Sequence, residues 1–155
     1  MTFLMPGYWK RLRFKLLIAL YPPYLGAGVR MTHLASDFGA IEVEMPLRFW
    51  NRNYVGTQFG GSLYSMTDPF LMLMLIEQLG PGYVVWDKSA TIRFRRPGRG
   101  TVRARFEIPP ARVQEIRRAA DEREKVEPVF DVNVVDEQGE VVAEVQKLLH
   151  VRKKR

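Results

Sequence analysis

Asp68 is the residue whose surroundings ask for an explanation. It lies within Ser62-Leu63-Tyr64-Ser65-Met66-Thr67-Asp68-Pro69-Phe70-Leu71-Met72-Leu73-Met74-Leu75-Ile76-Glu77-Gln78-Leu79, a run that is otherwise largely apolar. An unpaired carboxylate there carries a heavy desolvation cost. Either a neighbouring backbone group or an Arg satisfies it, or the segment holds a reactive carboxylate at a water-accessible cleft. Gly60-Gly61 stands just upstream. At a helix start, glycines let backbone N–H groups come close to a ligand oxygen, with the positive end of the helix dipole behind them. Adding Asn53 puts a polar positioning group, a polariser and a base within residues 53–68.

Other chemistries are poorly supplied. The 155 residues contain no Cys and only two His, His33 and His150. Disulfides, thiolate nucleophiles, zinc fingers and multi-histidine metal sites are therefore excluded, and neither a metal nor a cofactor is expected. There is no GxSxG, and Ser36, Ser62, Ser65 and Ser89 lack a plausible paired His. Walker and dinucleotide fingerprints are absent. Both histidines fall at strand positions and read as structural.

The elements that must position these residues follow from periodicity. Residues 62–79 are long enough for five helical turns and end at Gly80-Pro81-Gly82. A helix apolar nearly all round must be enclosed by other structure, and Pro69 is expected to kink it. Gly26 to Ser36 and Ala40 to Met45 read as strands around a turn at Asp37-Phe38-Gly39. Ile41, Val43 and Met45 alternate with Glu42 and Glu44. Tyr83 to Arg96 and Gly100 to Ile108 form two more, joined by Pro97-Gly98-Arg99-Gly100, each with one apolar and one basic face. Residues 111–125 make a charged surface helix anchored by Val113 and Ile116. A final hairpin runs Glu127 to Val135 and Glu140 to Val151 around Asp136-Glu137-Gln138-Gly139. The expected architecture is α+β: one antiparallel sheet of about six strands wrapped around one long central helix. Its uncovered edges imply self-association.

The formal charge of +7 is unevenly placed, with Arg152, Lys153, Lys154 and Arg155 at the C-terminus. Lys10, Arg11, Arg13 and Lys15 precede Leu16 to Leu20, an order like that of a signal peptide. That stretch is too short and Pro22-Pro23 follows at once. A helix from about Tyr8 to Leu20 packed on the body of the protein is the expectation, with docking on a membrane surface as its alternative. Cytoplasmic location is the default. Arg93, Arg95, Arg96, Arg99, Arg103 and Arg105 form the densest basic patch, either a solvated hairpin face or a landing site for the phosphates of a coenzyme A-like carrier. Nucleic acid is disfavoured, because no aromatics interleave these arginines on the polar face.

The stretch Asn53-Tyr54-Val55-Gly56-Thr57-Gln58-Phe59-Gly60-Gly61-Ser62-Leu63-Tyr64-Ser65-Met66-Thr67-Asp68 resembles the hotdog-fold acyl-CoA thioesterases of the phenylacetate-pathway type. Those carry an Asn, a His-Gly-Gly beginning six residues on, and an acid nine residues after the His. Asn53, Phe59 and Asp68 keep that spacing, with Phe59 in place of the His and Pro69 directly after the acid. In Phe-Gly-Gly-Ser-Leu-Tyr and Asp-Pro-Phe the chain resembles an uncharacterised bacterial branch of that superfamily.

The resemblance implies a single hotdog domain, with residues 1–24 as a helical extension, 25–151 as the core and 152–155 as a basic tail. It implies an acyl-thioester hydrolase acting as a homodimer or dimer of dimers, with the catalytic parts drawn from two subunits. Asp68 would be base or nucleophile, Gly61 the oxyanion donor and Asn53 a positioning group. Thr57, Gln58, Phe59, Gly60, Ser62, Arg93 and Arg95 would contact substrate. A thiolate leaving group of pKa about 8.5 can depart without a strong general acid, so the chemistry does not require the missing His. A non-catalytic module holding an acyl ligand in the same cleft is the alternative that Phe59 favours.

Overall fold

The computed structural model describes residues 7–155. Helix α1 (Gly7–Ala19) leads into a short α2 (Pro22–Ala27), then β1 (Arg30–Leu34) and β2 (Ala40–Met45). Helices α3 (Gly60–Ser65) and α4 (Phe70–Leu79) come next, followed by β3 (Tyr83–Phe94) and β4 (Val102–Glu107). Helix α5 (Pro110–Glu122), β5 (Val129–Val135) and β6 (Val141–Lys153) complete the chain. The six strands form one antiparallel sheet in the order β1-β2-β4-β5-β6-β3, with the helical segment 60–79 against its inner face. This is the expected sheet-around-helix α+β architecture.

The alternation in β2 and β4 sets the core. Ile41, Val43 and Met45 face inward with Val102, Ala104 and Phe106, against Phe70, Leu71, Met74 and Leu75 of α4. Phe70 stacks near Tyr24 on one side and Phe106 on the other, at centroid distances of 5.7 and 5.0 Å. Met66 and Met74 are fully buried core side chains. At the C-terminus of α4, Arg117 of α5 donates to the carbonyls of Gln78 and Leu79, which have no partner within the helix.

Several expectations are refined. The central segment is interrupted over residues 66–69, beyond a kink, because Pro69 offers no N–H and its ring excludes a continuous helix. Residues 26–36 are not one strand: Pro22 and Pro23 start α2, and Gly28, at φ 80°, ends it before β1 begins. β3 and β4 are not a hairpin. β3 crosses to the far edge and pairs with β6, so β5 and β6 lie between Arg93 and Arg95 on one side and Arg103 and Arg105 on the other. Of the basic tail, Arg152 and Lys153 belong to β6.

Candidate functional site

The break between α3 and α4 is where Asp68 sits. Its backbone N–H donates to Ser65 O (3.1 Å), and its carbonyl accepts from the buried Tyr24 hydroxyl. The carboxylate is 43% exposed and its Oδ1 lies 2.7 Å from Lys147 Nζ, on a side chain with no exposure at all. Oδ2 makes no hydrogen bond to any described residue. Lys147 comes from the middle of β6, in the inward register of Val145 and Leu149. A second carboxylate, Asp87 on the neighbouring β3, approaches the same Nζ to 3.1 Å. The Tyr64 ring lies beside the ammonium, 5.4 Å from Nζ to centroid.

The electrostatics follow from this stacking of charge. Burial alone would pull the Lys147 pKa down, but Asp68 and Asp87 outweigh it and the net shift is upward, so the ammonium stays charged. Asp87 is pushed up, first by burial and then by the neighbouring Asp68 carboxylate, with Lys147 opposing. Asp68 is thus neither a sealed core acid nor satisfied by an Arg. It is a half-exposed carboxylate tethered by one oxygen to a buried lysine.

Lys147 and Asp87 were missing from the expected site. A signal for Lys147 existed: it shares parity with Val145, Leu149 and Val151, positions that otherwise hold apolar residues. Asp87 shows no comparable signal, because the bulge between Asp87 and Ser89 breaks the register of β3.

The remaining expected residues, Arg93 apart, line two clefts. Asn53, Thr57, Gln58, Gly60 and Arg95 line one of about 430 Å³ beside Phe94. Phe59, Gly61 and Ser62 line another of about 570 Å³ with Pro22 and Trp50. Asp68 lines neither.

Asn53 is consumed by its own loop. Its Nδ2 donates to Thr57 Oγ1 (2.9 Å) and Gln58 O (3.3 Å), and its Oδ1 accepts from Thr57 N (2.9 Å). Gln58 is buried, with Nε2 donating to Met45 O and Gly100 O, both at 2.9 Å. These residues shape the loop leading into α3. The glycine pair has a packing reason as well. A Cβ on Gly60 would meet the Phe94 ring at 3.0 Å, and one on Gly61 would meet the Phe59 ring at 2.6 Å. Leu63 N–H, to Phe59 O, makes the first hydrogen bond of α3, leaving the N–H groups of residues 60–62 without a partner within the helix.

The arginine patch is largely neutralised. Arg95 pairs with Glu144 and Arg96 with Glu140, both at 2.6 Å; Arg103 pairs with Glu44 at 3.6 Å, and Arg105 with Glu42 and Glu107. Arg93 lines an outer cleft that also holds Asp131 and Glu144, a poor setting for a phosphate. Of the histidines, His150 stacks on Trp86 at 3.9 Å and His33 lies in β1.

Comparison with known proteins bears on the fold and the family. A Pseudomonas aeruginosa protein of unknown function, described as a probable thioesterase, superposes with a TM-score of 0.82 at 26% identity, over 93% of this chain and 96% of that one. A Haemophilus influenzae thioesterase matches at 0.66 and 17% identity, over 90% and 88%. A Chlorobaculum tepidum protein of unknown function matches at 0.76 and 13%, over 96% and 97%. No curated protein matches. The family model described as Domain of unknown function (DUF4442) matches residues 10–151, nearly the whole chain. The chain therefore belongs to the DUF4442 family and has the hotdog fold of the thioesterase-like superfamily.

Proposed function

We propose that the protein hydrolyses acyl thioesters, with acyl-CoA as the substrate class and Asp68 as the general base. One observation carries the reading: Lys147 holds Oδ1 of Asp68 while Oδ2 is left without a protein partner on a half-exposed side chain. Structural neighbours described as a thioesterase and, at 26% identity, as a probable thioesterase support the reaction class.

In the reaction, Asp68 takes a proton from water as the water oxygen bonds to the thioester carbonyl carbon. The oxyanion that forms needs backbone donors, for which the N–H groups of Gly61 and Ser62 are the candidates. Collapse breaks the C–S bond, and the proton on Asp68 passes to the departing thiolate, leaving acid and thiol. Lys147 is a positioning residue that fixes the carboxylate. Gly61 lines a cleft that Asp68 does not, which supports a complete site with Asp68 from one subunit and the glycine corner from another. The long edge strand β3, paired on one side only among the described residues, offers the joint.

Asp68→Asn is expected to abolish turnover across a panel of acyl-CoA chain lengths while circular dichroism and melting show a folded protein. Unchanged turnover would remove Asp68 from the mechanism, and a monomeric mass by light scattering at assay concentration would remove the shared site. The second reading, an acyl-binding module, is favoured by the Phe59 ring lying over Gly61. Tight binding of the same panel without hydrolysis by the native protein would select it.

A further inference from the structure

Helix α1 has two apolar faces and uses only one of them for folding. Phe14 and Ile18 pack into the core. On the opposite side, Trp9, Leu12, Leu16 and Leu20 recur at spacings of three and four, one helical stripe continued into the turn after α1. Trp9, Leu16 and Leu20 are 54%, 52% and 68% exposed. With Tyr21 and Pro22 the stripe bounds an open trough of about 540 Å³.

Charge accompanies the stripe. Residues 1–36 contain five cations, Lys10, Arg11, Arg13, Lys15 and Arg30, and no carboxylate. Three of the five are engaged in the fold: Lys10 pairs with Glu77, Arg11 donates to Leu34 O at 2.8 Å, and Arg30 pairs with Glu44 at 2.9 Å. Arg13 and Lys15 are exposed and have no ion-pair partner among the described residues. Arg13 sits in the stripe. Lys15 lies beside it and lines a neighbouring cleft of about 590 Å³ with the exposed Arg48 and Trp50.

We propose that this face docks on an anionic membrane surface, with the leucines and Trp9 at the acyl boundary and Arg13, Lys15 and Arg48 against headgroup phosphates. Apolar stripe, interfacial tryptophan and unopposed cations are the combination that holds a helix in the plane of a bilayer. No helix among the described residues is long and apolar enough to cross a membrane, which leaves the in-plane arrangement. A second copy is a poorer occupant, since a two-fold contact through α1 would set the same carboxylate-free cations against each other. The inference stands apart from the hydrolase reading.

The test is co-sedimentation of the full chain with phosphatidylcholine vesicles, with and without phosphatidylglycerol, at low and high salt. Binding is expected only with the anionic lipid and should weaken steeply with salt. Arg13→Glu with Lys15→Glu should weaken it by at least about 25-fold, two surface cations each being worth about a factor of five. Leu16→Ser with Leu20→Ser, on exposed positions that leave the far-ultraviolet spectrum unchanged, should abolish it. The proposal is overturned if the native chain ignores anionic vesicles at low salt, or if the leucine variant binds as well as native. It is also overturned if that variant halves the molar mass by light scattering while vesicle binding persists, because a second copy then covers the face.

Discussion

The charge cluster at Lys147 makes a prediction whose ordering is unusual: removing two carboxylates should hurt more than removing the carboxylates and the lysine together. At 2.7 and 3.1 Å, unit charges in an effective dielectric of about 20 attract by about 6 and about 5 kcal/mol. Most of that offsets the cost of burying an ammonium, and the exposure of Asp68 screens its share further. Asp68→Asn alone leaves Asp87 as a counter-charge and should cost about 1.5 kcal/mol, the low end for one charged hydrogen bond because Asp68 is half-exposed. Asp68→Asn with Asp87→Asn leaves a fully buried ammonium without an anion and should cost about 3–5 kcal/mol. Adding Lys147→Met, an apolar side chain of similar length, should recover most of this, to within about 2 kcal/mol of native. Urea unfolding at neutral pH reads the series, provided the m-values agree. A triple variant no more stable than the double would mean that the lysine is not held by these acids, and the geometry proposed for Asp68 would go with it.

Two further outcomes test neighbouring parts of the structure. Asp87 has its pKa raised from 3.8 in the fold, so its contribution favours the folded state at acid pH and is lost as pH rises through the folded value. Asp87→Asn should therefore gain on native from about pH 4 upward in urea melts, and a pH-independent difference would contradict the shift. Gln58→Leu strips Met45 O and Gly100 O of a buried donor and should cost about 1–3 kcal/mol. An unmoved unfolding midpoint would show that the loop into α3 is held by something else.

Much of the fold was legible along the chain because local pattern and burial coincide. The alternation of Ile41, Val43 and Met45, the turn residues 136–139 and the apolar run of residues 70–76 each report their own environment. The hotdog spacing from Asn53 to Asp68 was legible for the same reason, being contained in one local stretch. The pairing of β3 was not. Adjacent strands with a turn-like linker look like a hairpin, and only the packing of six strands around α3 and α4 sends β3 to the far edge beside β6.

That placement decided the site. Asp68, Asp87 and Lys147 are far apart in sequence, and nothing local to any of them names the other two. A buried lysine is tolerable only where anions meet it, and the meeting requires the helix break and two neighbouring strands to converge. Asn53 and Gln58 show the reverse: suited by type to touch a ligand, Asn53 is spent on its own loop and the Gln58 N–H groups on the distant Met45 and Gly100 carbonyls, because buried carbonyls need donors first. The sequence by itself determined most of the strands, the enclosed helical segment, the surface helix α5, and that Asp68 lies in an apolar run. Which cation that acid meets, and which polar side chains remain available for chemistry, was decided only by tertiary structure, since charge pairing and desolvation depend on neighbours distant along the chain.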